Sequence, residues 1–296
     1  MDPDAIETGQ HLNVGPFRAD AKLPPLALHV AARSECGPVR PNNEDRFLVV
    51  RFDRMTTPIA TNIDEAQLPS LPPQSFWALG VADGMGGHAA GEVASTLALT
   101  LALQFSQQGS RWYVAISESE VSEITARIES ILQSVDQAIS EQASTRAGYD
   151  GMGSTLTVAA AVGDRLFISH VGDSRAYLLR KARLARLTRD HALAQDLVDA
   201  GVLSSVSVAR HYSRHVLTQA MGRGEITLEM HVHVLEDGDR LLLTTDGVTD
   251  SVADSELEEL ASSGDSDAAC ERLVSRALAA GSKDNVTAIV ADVELP

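Results

Sequence analysis

Four aspartates stand at the ends of short apolar runs, and their placement constrains this chain more than any other feature of it. Asp83 follows Leu79-Gly80-Val81-Ala82, Asp173 follows Ile168-Ser169-His170-Val171-Gly172, and Asp246 follows Leu241-Leu242-Leu243-Thr244-Thr245. Asp284 precedes Asn285-Val286-Thr287-Ala288-Ile289-Val290. Apolar runs of this length between turn-forming residues read as buried strands. Three of the four acids adjoin glycine, which lets backbone come close to whatever a carboxylate binds, and Glu44-Asp45 abuts a further strand. A single Asp-Gly is a turn, but turns do not account for the whole series. Carboxylates converging at one edge of a sheet repel one another unless a cation neutralises them. Oxygen-only ligation selects a hard, octahedral ion such as magnesium or manganese.

The rest of the chain supplies a scaffold for such an edge. Residues 76–82 read as a strand, followed by a helix from about 87 to 107 with Val93, Leu97, Leu101 and Phe105 on one face. Val121, Ile124, Ile128, Ile131, Leu132, Val135 and Ile139 recur at helical spacing and predict a second helix. Strands are expected at 26–33, 46–52, 155–162, 165–171, 175–180, 184–187, 226–235, 240–245 and 286–293. Helices are expected at 191–200, closed by Gly201, near 255–262 and at 266–280. Strands joined by hairpin-length turns, with helices between blocks of them, predict antiparallel sheets covered by helices. Residues 1–25 are polar and end in Lys22-Leu23-Pro24-Pro25, an extension preceding one domain over 26–296. Within that domain, 53–74 holds Pro58, Pro69, Pro72 and Pro73 and reads as a surface loop, and 202–222 lacks clear periodicity.

Composition removes several classes of function. A net charge of −17 over 296 residues argues against a nucleic-acid binder, which needs a basic footprint. Cys36 and Cys270 are too few and too distant in sequence for a disulfide framework or a zinc site. Met1-Asp2-Pro3-Asp4 lacks the basic segment and apolar core of a signal peptide, and no apolar run has the length of a membrane span. The expectation is a reduced, cytoplasmic, monomeric protein with no membrane partner.

Taken in order, Arg40-x-x-Asn43-Glu44-Asp45, Asp83-Gly84-Met85-Gly86-Gly87, Gly153-Ser154-Thr155, Gly172-Asp173-Ser174-Arg175, Asp246-Gly247 and Asp284-Asn285 resemble the motif set of the metal-dependent (type 2C) serine/threonine protein phosphatases. The resemblance runs from about residue 28 to 293 and is closest to the bacterial branch. It implies an α+β fold, a four-layer α-β-β-α sandwich of two antiparallel sheets flanked by helices. It implies hydrolysis of phosphoserine and phosphothreonine in phosphorylated proteins, opposing a serine/threonine kinase, with Mn2+ or Mg2+ at two tight sites. Asp83 would bridge the two ions, with the Gly84 carbonyl on one, Asp246 and Asp284 on the other, and Glu44 acting through water. Asp45 would support that shell by hydrogen bonding, and Arg40 would clamp the phosphate with its guanidinium. Asp173 would belong to a third, weaker ion. The family's variable flap corresponds to 189–222, where Arg210, His211, Arg214 and His215 form a basic cluster in an acidic protein.

One position departs from part of the family: Met85 stands where some members carry a histidine proposed as general acid, which leaves proton donation to solvent, metal-bound water or another side chain such as His88. Other readings compete for the same residues. Gly84-x-Gly86-x-x-Ala89 fits a dinucleotide fingerprint, but Asp83 would repel the pyrophosphate. Cys270-x5-Arg276 has cysteine-phosphatase spacing, yet Cys270, Leu273, Val274, Ala277 and Leu278 form a helical core stripe. His231-x-His233 reads as a half-exposed strand alternating with Val232 and Val234, and Asp237-Gly238-Asp239 as a turn. The alternative from another class is a non-catalytic phosphopeptide-binding regulator, against which the complete set of metal-type acids argues.

Overall fold

The computed structural model describes residues 26–54, 59–60, 62–64, 74–86, 90–107, 118–208 and 211–296. The expectations for the extension 1–25, for most of the loop 53–74, and for His88 and Arg210 lie outside the described residues. In chain order the elements are β1 (Ala27–Glu35), β2 (Asp45–Arg54), β3 (Gln74–Met85), α1 (Ala90–Gln107), α2 (Glu118–Thr145), β4 (Gly153–Ser154), β5 (Leu156–Val162), β6 (Arg165–Val171), β7 (Arg175–Arg180) and β8 (Arg183–Arg186). They continue with α3 (Leu193–Asp199), α4 (Ser205–Val208), a 3-10 turn (Tyr212–His215), β9 (Glu229–Val234), β10 (Arg240–Thr244), α5 (Asp246–Thr249), α6 (Asp254–Ala261), α7 (Ser266–Ala279) and β11 (Val286–Glu294).

Two antiparallel sheets result, one in the order β1-β11-β10-β7-β8 and the other β2-β3-β5-β6-β9, with β4 pairing the end of β3. Strand alternation explains why they stack. Leu241 and Leu243 of β10 and Ile289 and Ala291 of β11 face the other sheet, where Leu79, Val81 and Ile168 meet them. Their neighbours Leu242, Ala288 and Val290 face outward onto Cys270, Leu273, Val274 and Ala277 of α7. A period of two on strands buried on both faces yields the continuous apolar runs of the sequence. On the far side, Ala94, Ala98 and Leu99 of α1 and Leu132, Val135 and Ile139 of α2 cover the second sheet. The four-layer α-β-β-α order expected from the sequence is the one observed.

Several boundaries differ from the sequence expectation, each for a physical reason. β1, β2 and β11 extend past their apolar runs because ladder hydrogen bonds are indifferent to side-chain polarity: Glu35 pairs with Val286, and Arg54 with Gln74. β3 does not stop at Asp83. Gly84 and Met85 pair with Ser154 and Gly153, so the turn begins at Gly86, whose φ is 132°. Helix 191–200 shrinks to α3 because Ala192 is extended and bridges Leu217. The segment 202–222 contains α4, the 3-10 turn and the bridge of Met221 to Ser154, pieces too short to carry a period.

Candidate active site

Strand ends from both sheets meet at one end of the sandwich and line a cleft of about 810 Å³ that includes Arg40, Glu44, Asp83, Asp173, Asp246 and Asp284. The carboxylates therefore converge at a seam between two sheets rather than along one sheet edge, as the sequence alone suggested. Asp45 and Asp83 are opposite one another across β2 and β3 in the second sheet. Asp246 follows β10 and opens α5, and Asp284 precedes β11, both in the first sheet. Asp173 sits where the chain crosses from β6 to β7, from one sheet to the other.

Hydroxyl groups set the acids in place. The Thr155 N–H donates to the Asp83 carbonyl at 2.8 Å, and the Asp83 N–H donates to the Thr155 hydroxyl at 2.9 Å. That hydroxyl is also 2.7 Å from the hydroxyl of Ser174, next to Asp173. Asp45 is 2 % exposed and accepts hydrogen bonds at 2.7 Å from both Thr245 and Thr287, a contact that ties the two sheets together directly beneath Asp246. Asn285 fastens the loop that carries Arg40: its amide donates to the carbonyls of Cys36 and Asn42, and its Oδ1 accepts from the Glu44 N–H. Arg40 lies at the rim and donates to Asp284 at 2.6 Å. The resemblance implies a phosphate for this side chain; here one of its five donors is on a carboxylate.

Glycines matter here for their missing side chains. A Cβ on Gly84 would stand 1.9 Å from the Gly91 carbonyl oxygen, and one on Gly91 would stand 2.8 Å from the Glu44 carboxyl and from the Gly84 carbonyl carbon. The start of α1 is thus seated directly on the end of β3, with the Glu44 carboxylate lying over it. The Ser95 hydroxyl completes the contact by donating to the Glu44 carbonyl at 2.6 Å.

Crowding of acids shows in their proton affinities. Burial first, and then the charges of Asp45 and Asp246, hold Asp83 well above the usual carboxylate range. Asp246 is raised likewise by burial and by Asp173 and Asp250. Burial brings Asp45 up to about 6 against the hydroxyl donors that oppose it, and burial with Asp190 and Asp250 brings Asp173 to about 7. Buried Oδ1 atoms of Asp45 and Asp246 have no hydrogen-bond partner among the described residues. Unpartnered buried carboxylate oxygens are costly, and these lie in or beneath a cleft whose acidic donors are all oxygen. A hard divalent cation fits that donor set.

Two groups here escaped the sequence reading. Asp250 places a ligand atom within 4.8 Å of those of Asp246 and His215, and also accepts from Arg214 at 3.0 Å. Its i, i+4 spacing from Asp246 was the available signal, hidden because α5 is a single turn. His170, His191 and Glu229 form a second such group, but protein partners already engage it. The Gly172 N–H points to His191 Nδ1, the Thr157 hydroxyl and the Arg189 carbonyl hold the His170 ring, and the Arg189 N–H donates to Glu229. The competing sites resolve as the sequence favoured. Cys270 is fully buried with its thiol pushed up to about 11, Asp239 is a buried partner of Arg180, and His231 pairs with Glu229 on the edge strand β9. Arg175 donates Nε and Nη2 to Asp190, at 2.9 and 2.7 Å, and turns Nη1 to Tyr177 and Asp254, away from Asp173.

Fold and cleft define a class: a two-sheet sandwich that gathers carboxylates at its seam and sets an arginine on the rim. The family model described as Protein phosphatase 2C matches residues 64–289, and the chain belongs to that family. It is 33% identical over 269 residues to the serine/threonine protein phosphatase PstP of Mycobacterium tuberculosis, covering 90% of this chain and 45% of that protein. It thus spans about half the length of that relative. With the serine/threonine phosphatase stp of Listeria monocytogenes it shares 30% identity over 270 residues, covering 90% of this chain and 97% of that one. A crystal structure of the PstP catalytic domain in complex with two manganese ions superposes with a TM-score of 0.72 at 32% identity, covering 91% of this chain and all of that one.

Proposed function

We propose that this chain is a manganese- or magnesium-dependent phosphatase acting on phosphoserine and phosphothreonine in proteins. The observation that carries the reading is the unpartnered, buried Asp246 Oδ1 among carboxylates of both sheets, with Arg40 at the rim of the same cleft. Asp83, Asp246, Asp284, the Gly84 carbonyl and Glu44 would hold two divalent ions. When bound, such an ion pair supplies a water acidified into a nucleophile and neutralises charge developing on phosphorus. The side chains do the rest. Arg40 binds and orients the phosphoryl group with the donors it does not spend on Asp284. Asp45, clamped by Thr245 and Thr287, fixes the floor of the site. Thr155 and Ser174 keep Asp83 and Asp173 in fixed relation, and Asp173 with Asp246 and Asp250 would take a third, looser ion.

Met85 lines the cleft and brings no proton to a leaving alkoxide. We assign the enzyme to the cytoplasm as a monomer opposing a serine/threonine kinase; its two free thiols suit a reducing compartment. The test is hydrolysis of a phosphothreonine peptide with Mn2+, with and without excess chelator, beside Asp246→Asn. Turnover is expected only with metal and only in the unaltered protein. Full activity in chelator would overturn the metal mechanism.

A further inference from the structure

Arg223 lines the same cleft as Arg40 and Asp246. Arg40, the other arginine lining that cleft, is paired with Asp284. In a chain of net charge −17, Arg175, Arg180, Arg189 and Arg240 all lie in ion pairs with carboxylates. The guanidinium of Arg223 is exposed and has no hydrogen-bond or ion-pair partner among the described residues.

Its backbone is braced. Gly222 and Gly224 flank it with φ of 90° and 85°, a conformation that side chains other than glycine disfavour. A Cβ on Gly222 would also strike Ile139 of α2 at 2.7 Å. From the same helix, Asp136, only 3 % exposed, accepts the N–H groups of both Gly222 (2.6 Å) and Arg223 (3.2 Å). A buried carboxylate taking two backbone donors is an anchor that an ordinary surface turn lacks. On the other side, Met221 bridges Ser154 in both directions, and the Ser154 hydroxyl donates to the Asp83 carbonyl at 3.0 Å. The turn is therefore built onto the strand that carries Asp83.

We propose that Arg223 is a second anion-recognition point, which selects phosphoproteins carrying another anionic side chain close to the phosphoresidue being hydrolysed. This rests on the phosphatase reading of the cleft. A guanidinium fork pairs with either a phosphate or a carboxylate. A cleft of about 810 Å³ lies in the range of about 300–1,000 Å³ that accepts a whole drug-sized ligand, so it receives more of the substrate than one phosphoryl group. The surrounding acids explain why selection is needed: a doubly anionic peptide would be repelled by a net charge of −17 unless a fixed cation met its second charge.

The test compares three phosphothreonine peptides, identical except for a neighbouring position that carries a second phosphothreonine, a glutamate or an alanine. The neighbouring position is stepped from one to three residues on either side. In the unaltered protein with Mn2+, kcat/KM at the best spacing should favour an anionic neighbour over alanine by roughly tenfold or more, as expected for one charge-assisted hydrogen bond. The effect should be carried in KM. A preference for the second phosphate over glutamate identifies clustered phosphosites as the target; equal preference identifies acidic segments in general. Arg223→Ala should bring the ratio close to one, Arg223→Lys should restore part of it, and Arg223→Glu should invert it. Fluorescence anisotropy with non-hydrolysable phosphonate peptides gives the same comparison without turnover. Turnover with a ratio of one in the unaltered protein, or a ratio indifferent to Arg223→Ala, overturns the proposal. Loss of all turnover with the binding ratio intact would instead count against the phosphatase reading and leave this one standing.

Discussion

Asp45 offers a quantitative check on how the site is built. Its carboxyl is buried, hydrogen-bonded through one oxygen to Thr245 and Thr287, and raised from its ordinary 3.8 to about 6. A carboxyl that holds its proton more tightly in the folded state than in the unfolded one stabilises the fold at low pH. That contribution is complete below about pH 4 and is lost as pH rises through about 6. A rise of this size, at about 1.36 kcal/mol per pKa unit, corresponds to about 3 kcal/mol. Buried His170, depressed to about 4, works in the opposite sense and gains stability over an overlapping window, so a single pH profile would mix the two. Asp45→Asn separates them, since its side-chain oxygen can still accept both threonine hydroxyls but cannot ionise.

In chelator, urea denaturation of both proteins from pH 4.5 to 8 gives two curves. Between pH 4.5 and 8 the unaltered protein should fall relative to Asp45→Asn by about 2 kcal/mol, the first ~1 kcal/mol of the change lying below pH 4.5. Saturating Mn2+ should hold the unaltered protein up at high pH and help Asp45→Asn less. A difference between the two curves that stays flat, or that grows in favour of the unaltered protein with rising pH, would refute the assignment of an uncompensated buried acid.

Arg40→Lys keeps the charge and loses the fork. A charge-assisted hydrogen bond is worth about 1.5–3 kcal/mol, so kcat/KM on a phosphopeptide should drop roughly tenfold or more through KM. Metal affinity measured by calorimetry should change little, and a Lys variant equal to the unaltered enzyme would reduce Arg40 to a surface charge. Gly91→Ala improves helix propensity by about 1 kcal/mol but forces a methyl to 2.8 Å from the Glu44 carboxyl. Weaker Mn2+ binding and a lowered Tm are expected, and a rise in both would show the seat of α1 to be compliant. Asp173→Ala should keep the fold and two tight metal sites while losing more kcat on phosphopeptides than on an aryl phosphate, whose leaving group needs no proton. Equal losses would exclude a part for Asp173 in supplying that proton.

The sequence made legible whatever repeats over a few residues. Leu241, Leu242 and Leu243 form one run because β10 is buried on both faces, and Cys270 falls in a helical stripe, so both could be placed before any coordinate was known. The chemistry of the cleft was visible because aspartates next to glycines at strand ends have few other uses in such a series. What stayed hidden depends on partners distant in the chain. Thr245 and Thr287 meet at Asp45 from 200 and 242 residues away, and Asp136 reaches Gly222 across 86 residues; no local period encodes either meeting. The extension of β3 through Met85 was hidden for the same reason, since its partner β4 is only two residues long.

The register of β2 on β3 has a practical consequence. Asp45 faces Asp83 at one end of this hairpin and Arg54 faces Gln74 at the other, nine residue pairs away. At about 3.3 Å per residue, the chain between Arg54 and Gln74 leaves the sheet roughly 30 Å from the carboxylate cleft. A fluorophore, an affinity handle or a tether to a surface introduced at Arg54 would ride on the same rigid strand as Asp45, roughly 30 Å from it. The hairpin thus works as a lever arm, with a substrate end and a free end that can be handled independently.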